Sequence, residues 1–436
     1  LEGPATNDLF IYEPGDGNDT IVDLGGDDTL QIDGGLSIAG LSRSGDDYIL
    51  ELNDGAILTV EGQALAQVVE TVSISGGWSG SFQSGSNVGG TDDLALHTGT
   101  TDADILSAGS GNDMVFVTRG GVNAGTGSDT IRGGNDGIFI DGGSQNDLIF
   151  GGDGNNTLSG GTGDDTIQGG SGADLIDGGW HNDVLAGAGG DDTISGDFGD
   201  DALSGGDGND LLADGSGNDT LLGEAGNDTL ISSLGDDLIR GGDGNDSISY
   251  SHGNDTVDGG GGLDILEIKG LSQGVSIDLS SGDDTITVKT GSSVAYSNIE
   301  GIVSGIFSDT LIGDAGANYL DGGAGANTLS GAGGDDTLRG FNSSDRYIYR
   351  IGDGNDRIEE AARTQRSNTL DLGDGTFQRM SGATRDGSDL LLTFDDGGTV
   401  RLVDQFAGKG VGTIQFTSGG RTIGQEITHS ATPDGS

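Results

Sequence analysis

The chain has 436 residues, of which 91 are glycine, 3 are proline and none is cysteine, and its formal net charge is −55. Seventeen Lys and Arg against 72 Asp and Glu leave no basic patch, which excludes nucleic acid and anionic membrane as direct partners. No apolar run approaches the roughly 18 residues needed to span a bilayer, so no membrane insertion is expected, and without cysteine a small core has metal as its available staple.

Residues 1–77 read as a β-rich module. Leu9–Tyr12, Thr29–Ile32, Tyr48–Leu52 and Ala56–Val60 are predicted strands, with Asn53–Ala56 (NDGA) as a hairpin turn. Residues 63–70 suit one or two helical turns. No signal peptide is read at the start, which lacks Met, so a processed chain or a segment of a longer protein is expected. Residues 78–98, Gly/Ser-rich with Trp78 and Phe82, are predicted as a loop.

A repeat region is predicted over 99–267. It begins with Asp104 in GTTDADILS and Asp113 in AGSGNDMVF, is broken by seven extra residues at Val117–Asn123, and resumes with Asp129 in AGTGSDTIR. The next phrase carries Ile138 where Asp belongs, which predicts a bulge or a missing metal position. From Gly142 to Glu267 a nine-residue phrase, G-G-x-G-x-D-x-φ-x with φ apolar, then runs fourteen times in register. Its sixth position is Asp147, Asn156, Asp165, Asp174, Asp183, Asp192, Asp201, Asp210, Asp219, Asp228, Asp237, Asp246, Asp255 and Asp264. Its eighth is always Leu, Ile or Val.

Such a period dictates the fold. Six Gly- and Asp-rich residues make a turn, since glycine enters the positive-φ region freely. The other three, such as Thr166-Ile167-Gln168, make a short strand. Two phrases close a coil of eighteen residues, and the coils stack as two parallel sheets with position eight between them. The fold class is therefore all-β, a parallel solenoid of nonapeptide repeats flanked by small β-rich capping modules. Stacking sets each Asp over the one eighteen residues on, about 4.8 Å away. Two bare carboxylates at that distance repel by about 3 kcal/mol at an effective dielectric near 20. A divalent cation between rungs removes the conflict, and calcium suits oxygen ligands in loose geometry.

After Glu267 the period stops. Residues 268–303 read as a strand spacer, with Gly274–Leu279 and Thr285–Lys289 alternating as half-buried strands. A second short roll, 304–345, has Asp309, Asn318, Asn327, Asp336 and Asp345 at position six, and its two Asn predict weaker or fewer sites. Residues 346–424 repeat the first module: NDLFIYEPGDGNDTI (Asn7–Ile21) matches SDRYIYRIGDGNDRI (Ser344–Ile358), and Ser42–Val60 matches Thr384–Leu402. A tail, 425–436, follows.

The phrase resembles the RTX (repeats-in-toxin) haemolysin-type calcium-binding β-roll family, and the two end modules resemble the related domain that often closes such a block. The resemblance implies many calcium ions, each held between turns one coil apart by Asp side chains and glycine carbonyls. The implied metal residues are the position-six aspartates named above, with Asp104, Asp113, Asp129, Asp309, Asp336 and Asp345. The turn glycines Gly160, Gly161, Gly163, Gly169, Gly170, Gly172, Gly205, Gly206 and Gly208 join them. Asp165 with Asp183, or Asp192 with Asp210, is a typical implied pair, and roughly ten to twelve sites are expected in the main roll.

Nothing catalytic competes with this reading, and no enzyme is expected. The one G-x-S-x-G, Gly270–Gly274, precedes a strand where a nucleophile elbow needs a helix. The four histidines, His97, His181, His252 and His429, form no metal-spaced motif. Trp78 and Trp180 are candidate sugar platforms, though exposed turn residues of this kind more often have no such role. The expectation is a secreted protein, extracellular or at the cell surface, that folds on calcium and serves as a scaffold, adhesin, surface-layer or filament segment. The alternatives are a non-catalytic module of a larger secreted polysaccharide-acting enzyme, or a calcium-dependent polysaccharide binder. Its expected partners are itself, head to tail, or an extracellular polysaccharide.

Overall fold

The computed structural model describes residues 9–14, 16–21, 29–32, 38–44, 47–60, 71–74, 78–83, 87–90, 93–98, 105–268, 273–281, 285–289, 292–341, 343–360, 368–373, 376, 379–405, 413–418 and 421–426. The fold is all-β, with a short 3-10 turn at Leu279–Ser281. The chain forms two compact units, Leu1–Asp210 and Leu211–Ser436, each with parallel solenoid coils.

In the first unit a strand recurs every nine residues, and alternate strands pair in parallel eighteen residues apart. Ile149, Ile167, Leu185 and Leu203 are neighbours in one sheet. Ile140, Leu158, Ile176 and Ile194 are neighbours in the other. All eight are at most 1% exposed, so position eight is the core, a seam one side chain deep between two sheets. The strands are twice as long as the phrase suggests: Thr166–Ser171 and Leu175–Trp180 each have six residues. Pairing continues through the second glycine, with Gly152 opposite Gly170 and Gly161 opposite Gly179. Gly170 shows why that position is glycine. Its φ is +127°, and a Cβ there would lie 1.9 Å from the Gly152 carbonyl oxygen.

Two expectations need correction in this unit, and a third is narrowed. Val117–Asn123 is not an insertion that breaks the stack. Met114–Arg119 and Gly121–Thr126 are both strands, separated by Gly120 at φ +88°. Their neighbours pair sixteen residues apart, Ile105 with Gly121 and Met114 with Thr130. One turn has shrunk to a single glycine and the coil is two residues short, while Val122 and Ala124 still fill the core. Residues 78–98 are not a loop either: Trp78–Gln83, Asn87–Gly90 and Asp93–Thr98 are strands. Asp93–Thr98 is paired in parallel with Trp78–Gln83 on one side and Met114–Arg119 on the other. Ladder bonds are made by backbone groups, which a Gly/Ser-rich segment supplies as well as any other. Of the two alternatives at Ile138, a bulge or a missing metal position, the pairing shows no bulge: Phe139 lies opposite Thr157 and Ile140 opposite Leu158 in unbroken register.

The module before these coils has the predicted hairpin, Asp47–Leu52 with Ile57–Val60, closed by Gly55 N–H to the Leu52 carbonyl at 2.8 Å. Asp19–Ile21, Ile38–Ser44 and Thr71–Ile74 add strands that the pattern does not show. The helical turn expected over 63–70 lies outside the described residues.

In the second unit the same offset holds: Leu212, Leu230, Ile248 and Leu266 in one sheet, Leu221, Ile239 and Val257 in the other. The spacer contributes Thr285–Lys289, antiparallel to Ser292–Ser297, which in turn lies parallel on Asn254–Gly261. The closing module joins the hairpin Met380–Asp386 and Asp389–Phe394 to Thr399–Leu402, which pairs with Asn355–Glu360. Its tight turn repeats that of the first module: Tyr349 Oη donates to the Gly354 carbonyl at 2.9 Å, as Tyr12 Oη does to that of Gly17.

Candidate metal centre

The position-six side chains form buried ladders in each unit. The backbone N–H of each donates to Oδ1 of the residue one coil on. Asp129 to Asp147, Asp147 to Asp165, Asp165 to Asp183 and Asp183 to Asp201 are all 2.7 Å. Asn156 to Asp174 and Asp174 to Asp192 are 2.7 Å, and Asp192 to Asp210 is 2.8 Å. Asp113 reaches Asp129 at 2.6 Å across the short coil. In the second unit Asp219 to Asp237 is 2.9 Å, Asp237 to Asp255 3.0 Å, Asp228 to Asp246 2.8 Å and Asp246 to Asp264 2.9 Å. None of these aspartates is more than 3% exposed.

The carboxylates are therefore not bare rungs facing one another: one oxygen of each is used by the backbone. The other oxygen is what the fold leaves over. Oδ2 of Asp147, Asp165, Asp174, Asp183, Asp192, Asp246, Asp255 and Asp264 is buried without a hydrogen-bond partner. Leaving a charged oxygen so costs several kcal/mol of lost hydration unless something else meets it.

The first glycine of each phrase makes room for that oxygen. A Cβ on Gly160 would lie 2.4 Å from Asp165 Oδ2 and 2.8 Å from the Gly178 carbonyl oxygen. On Gly169 it would lie 2.3 Å from Asp174 Oδ2 and 2.9 Å from that of Gly187, and on Gly205 2.3 Å from Asp210 Oδ2. Orphaned carboxylate oxygens and turn carbonyls thus converge where a side chain is forbidden. The other implied glycines serve close stacking. A Cβ on Gly161, Gly163, Gly172, Gly206 or Gly208 would come within 1.8–2.4 Å of a carbonyl oxygen of the preceding coil.

Burial, foremost, drives these carboxyls toward their neutral form. It pushes Asp147 up to about 8, helped by Asp129 and Asp165. Asp183 and Asp255 rise to about 7, and Asp165, Asp192, Asp201 and Asp264 to about 6, each restrained by its backbone hydrogen bond. The donor set is oxygen alone and flexible in number, which fits calcium. Bound calcium supplies positive charge to these oxygens. The chain orients them, excludes water from them and fixes their spacing by the eighteen-residue coil.

Asparagine rungs carry their own substitute. Asn327 Nδ2 donates to the carbonyls of Gly322 at 2.8 Å and Gly323 at 3.3 Å. Asn156 Nδ2 donates to that of Gly154 at 3.1 Å, and Asn318 Nδ2 to that of Glu300 at 3.2 Å. An amide N–H stands where metal is otherwise required. Asn327→Asp is expected to lower the melting temperature at calcium just sufficient to fold the chain, since it exchanges a donor for an unmet carboxylate at a cost of about 1–3 kcal/mol. It is also expected to raise calcium uptake; an unchanged melt and isotherm would contradict this. Asp309 and Asp336 in the same roll keep an unpartnered Oδ2, and Asp345 accepts the Asn327 N–H at 2.9 Å. Ile138 fills its rung with an apolar side chain, its N–H donating to Asn156 Oδ1 at 3.1 Å. Asp104 and the side chain of Trp78 lie outside the described residues.

Sequence reasoning missed several participants. Position five is Asn or Asp in twelve of the fourteen phrases, and it forms an exposed ladder running the opposite way. Asp164 N–H donates back to Asn146 Oδ1 at 3.1 Å, Asn182 to Asp164 at 3.1 Å and Asp200 to Asn182 at 2.9 Å. That recurrence was visible and passed over as variable. The rungs that end a ladder are met by residues outside it: Asp264 N–H by Glu300 Oε2 at 2.9 Å, Asp345 by Asn368 Oδ1 at 2.9 Å, Asp336 by Asp356 Oδ1 at 3.3 Å. Asp356 sits in the GDGNDRI echo of the phrase and was legible there; Glu300 and Asn368 have no signal in the period. Asp214 was also missed, at a position one that is normally glycine.

Comparison with known proteins agrees with this geometry. The family described as RTX calcium-binding nonapeptide repeat (4 copies) matches residues 14–35, overlapping stretches that run together over 98–212 and 214–266, and 303–338, just over half of the chain. No curated protein matches. Among solved structures, the crystal structure of extracellular lipase LipA from Serratia marcescens is 20% identical with a TM-score of 0.18, and the match covers 43% of this chain and 38% of that one. At that score the likeness says nothing further about this chain. The repeated match and the rows of buried aspartates place the chain in the RTX calcium-binding nonapeptide repeat family, as a β-roll that binds many calcium ions.

Proposed function

We propose that this chain is a secreted structural segment, of the scaffold, adhesin, surface-layer or filament kind, that takes its fold when it meets calcium outside the cell. The observation that carries this is the row of buried, unpartnered Oδ2 atoms. Where calcium is scarce the stacked state holds these oxygens unmet, and the extended chain, suited to passage through a secretion channel, is favoured. Where calcium is plentiful, binding energy becomes folding energy. The matching Tyr–Gly turns of the two end modules support end-to-end use of the chain.

A second reading, a calcium-dependent polysaccharide binder, is favoured by one feature. Trp180 and Phe198 are 58% and 53% exposed, with ring centroids 5.0 Å apart on adjacent strands. Solution scattering and negative-stain imaging with and without calcium separate the readings. Ordered filaments or sheets that appear only with calcium are expected; calcium-loaded monomers at every concentration would overturn the assembly reading in favour of the second.

A further inference from the structure

Position one is glycine in eleven of the fourteen phrases; the exceptions are Asp214, Ser232 and Tyr250, which follow one another coil by coil. Asp214 is 0% exposed. Its Oδ1 accepts the N–H of Gly215 at 2.5 Å and of Ser233 at 2.9 Å, and its Oδ2 is buried with no hydrogen-bond partner. A ligand oxygen from each of Asp214, Asp219 and Asp237 lies within 4.8 Å of the other two. Nearby, Ser232 Oγ donates to Asp237 Oδ2 at 2.6 Å.

An ion that holds oxygens at about 2.3–2.6 Å joins two of them when they stand up to about 5 Å apart. With their oxygens no more than 4.8 Å apart, one calcium ion gathers the three carboxylates by small side-chain shifts. The ordinary rungs of the second unit offer only position-six carboxylates, because glycine occupies position one at Gly223, Gly241 and Gly259. Here a third carboxylate is added from the glycine position itself. Asp214 and Asp219 belong to one coil and Asp237 to the next.

We propose that Asp214, Asp219 and Asp237 form a three-carboxylate calcium site that fills before the ordinary rungs and pins two successive coils of the second unit together. Ligand charge tunes calcium affinity over orders of magnitude, so the added carboxylate makes this the tightest site of the chain. Folding of the second unit then starts at this pair of coils. The proposal rests on the calcium-binding ladder but assigns one place in it a separate affinity and an order of filling.

The test is the calcium isotherm of the whole chain, read by competition with a chromophoric chelator, for the parent, Asp214→Asn, Asp214→Gly and Asp165→Asn. Asp214→Gly restores the common residue, and Asp214→Asn keeps the shape and decides alone if the glycine variant does not fold. The tightest step is expected to weaken by about ten-fold or more in both Asp214 variants. Asp165→Asn is expected to lose ions from the weaker steps only. Asp214 variants whose first step overlays the parent's would overturn the proposal, as would loss of that step in Asp165→Asn. A parent with no calcium uptake would show a flat isotherm, and would instead refute the ladder as a whole.

Discussion

Chelation of calcium at neutral pH is expected to abolish the β-sheet circular dichroism signal of the chain, and millimolar calcium to restore it. The core is one apolar side chain per phrase, and every phrase whose position-six Asp is among the described residues also buries a carboxylate. A ligand present at 100 times its dissociation constant stabilises by about 2.7 kcal/mol per site. Natural domains are stable by only about 5–15 kcal/mol, so loss of a few sites exceeds the whole margin. Removal of metal therefore unfolds the rolls cooperatively. A chelated chain with the same spectrum and melting temperature as the loaded one would show that the carboxylates are accommodated without metal, and the proposed folding mechanism would fall.

In chelator, acid is expected to do part of the work of calcium: the metal-free chain should be more folded at pH 5 than at pH 8. The folded chain raises Asp147 from its ordinary 3.8 to about 8, Asp183 and Asp255 to about 7, and Asp165, Asp192, Asp201 and Asp264 to about 6. A raised carboxyl binds its proton more tightly when folded than when unfolded. Its contribution is therefore fully present below about pH 4 and is lost as the pH rises through the folded values, here between about 6 and 8. Saturating calcium reverses the slope in that window, because metal requires the deprotonated oxygen. Thermal melts from pH 5 to 8, with chelator and with calcium, read both slopes; a chelated chain that gains stability with rising pH would refute the argument. The exposed fifth-position Asp191 behaves oppositely, since the backbone N–H and side-chain amide of Asn209 hold it below the usual carboxylate range.

What was legible in the residues was what repeats. An unbroken apolar eighth position specified the two sheets, and the sixth position specified where the ladders run. What was not legible depends on atoms that no period names. That Oδ1 is bound by the backbone one coil away, leaving one oxygen per side chain, follows from the height of the coil and not from residue types. The sixteen-residue coil that contains Val117–Asn123 looked like an interruption because Gly120 alone replaces the Asp-bearing turn between its strands; only the pairing of Ile105 with Gly121 shows that the stack is intact. The segment 78–98 was misread because composition stood in for pairing.

The two carboxamide and carboxylate ladders run in opposite senses. At position six the amide of one coil is received by the coil after it; at position five it is received by the coil before. Every coil thus presents a mixed face on each side, and the two faces are complements of each other, like the stud and socket of a building block. Turned end for end, a coil would bring donor against donor and oxygen against oxygen. A growing stack accepts its next coil in one orientation only, and that vector is written into the turns before any metal arrives. Where the phrase gives out, Glu300, Asn368 and Asp356 keep that sense, each receiving from the next strand of the same sheet the amide that a phrase aspartate would otherwise take.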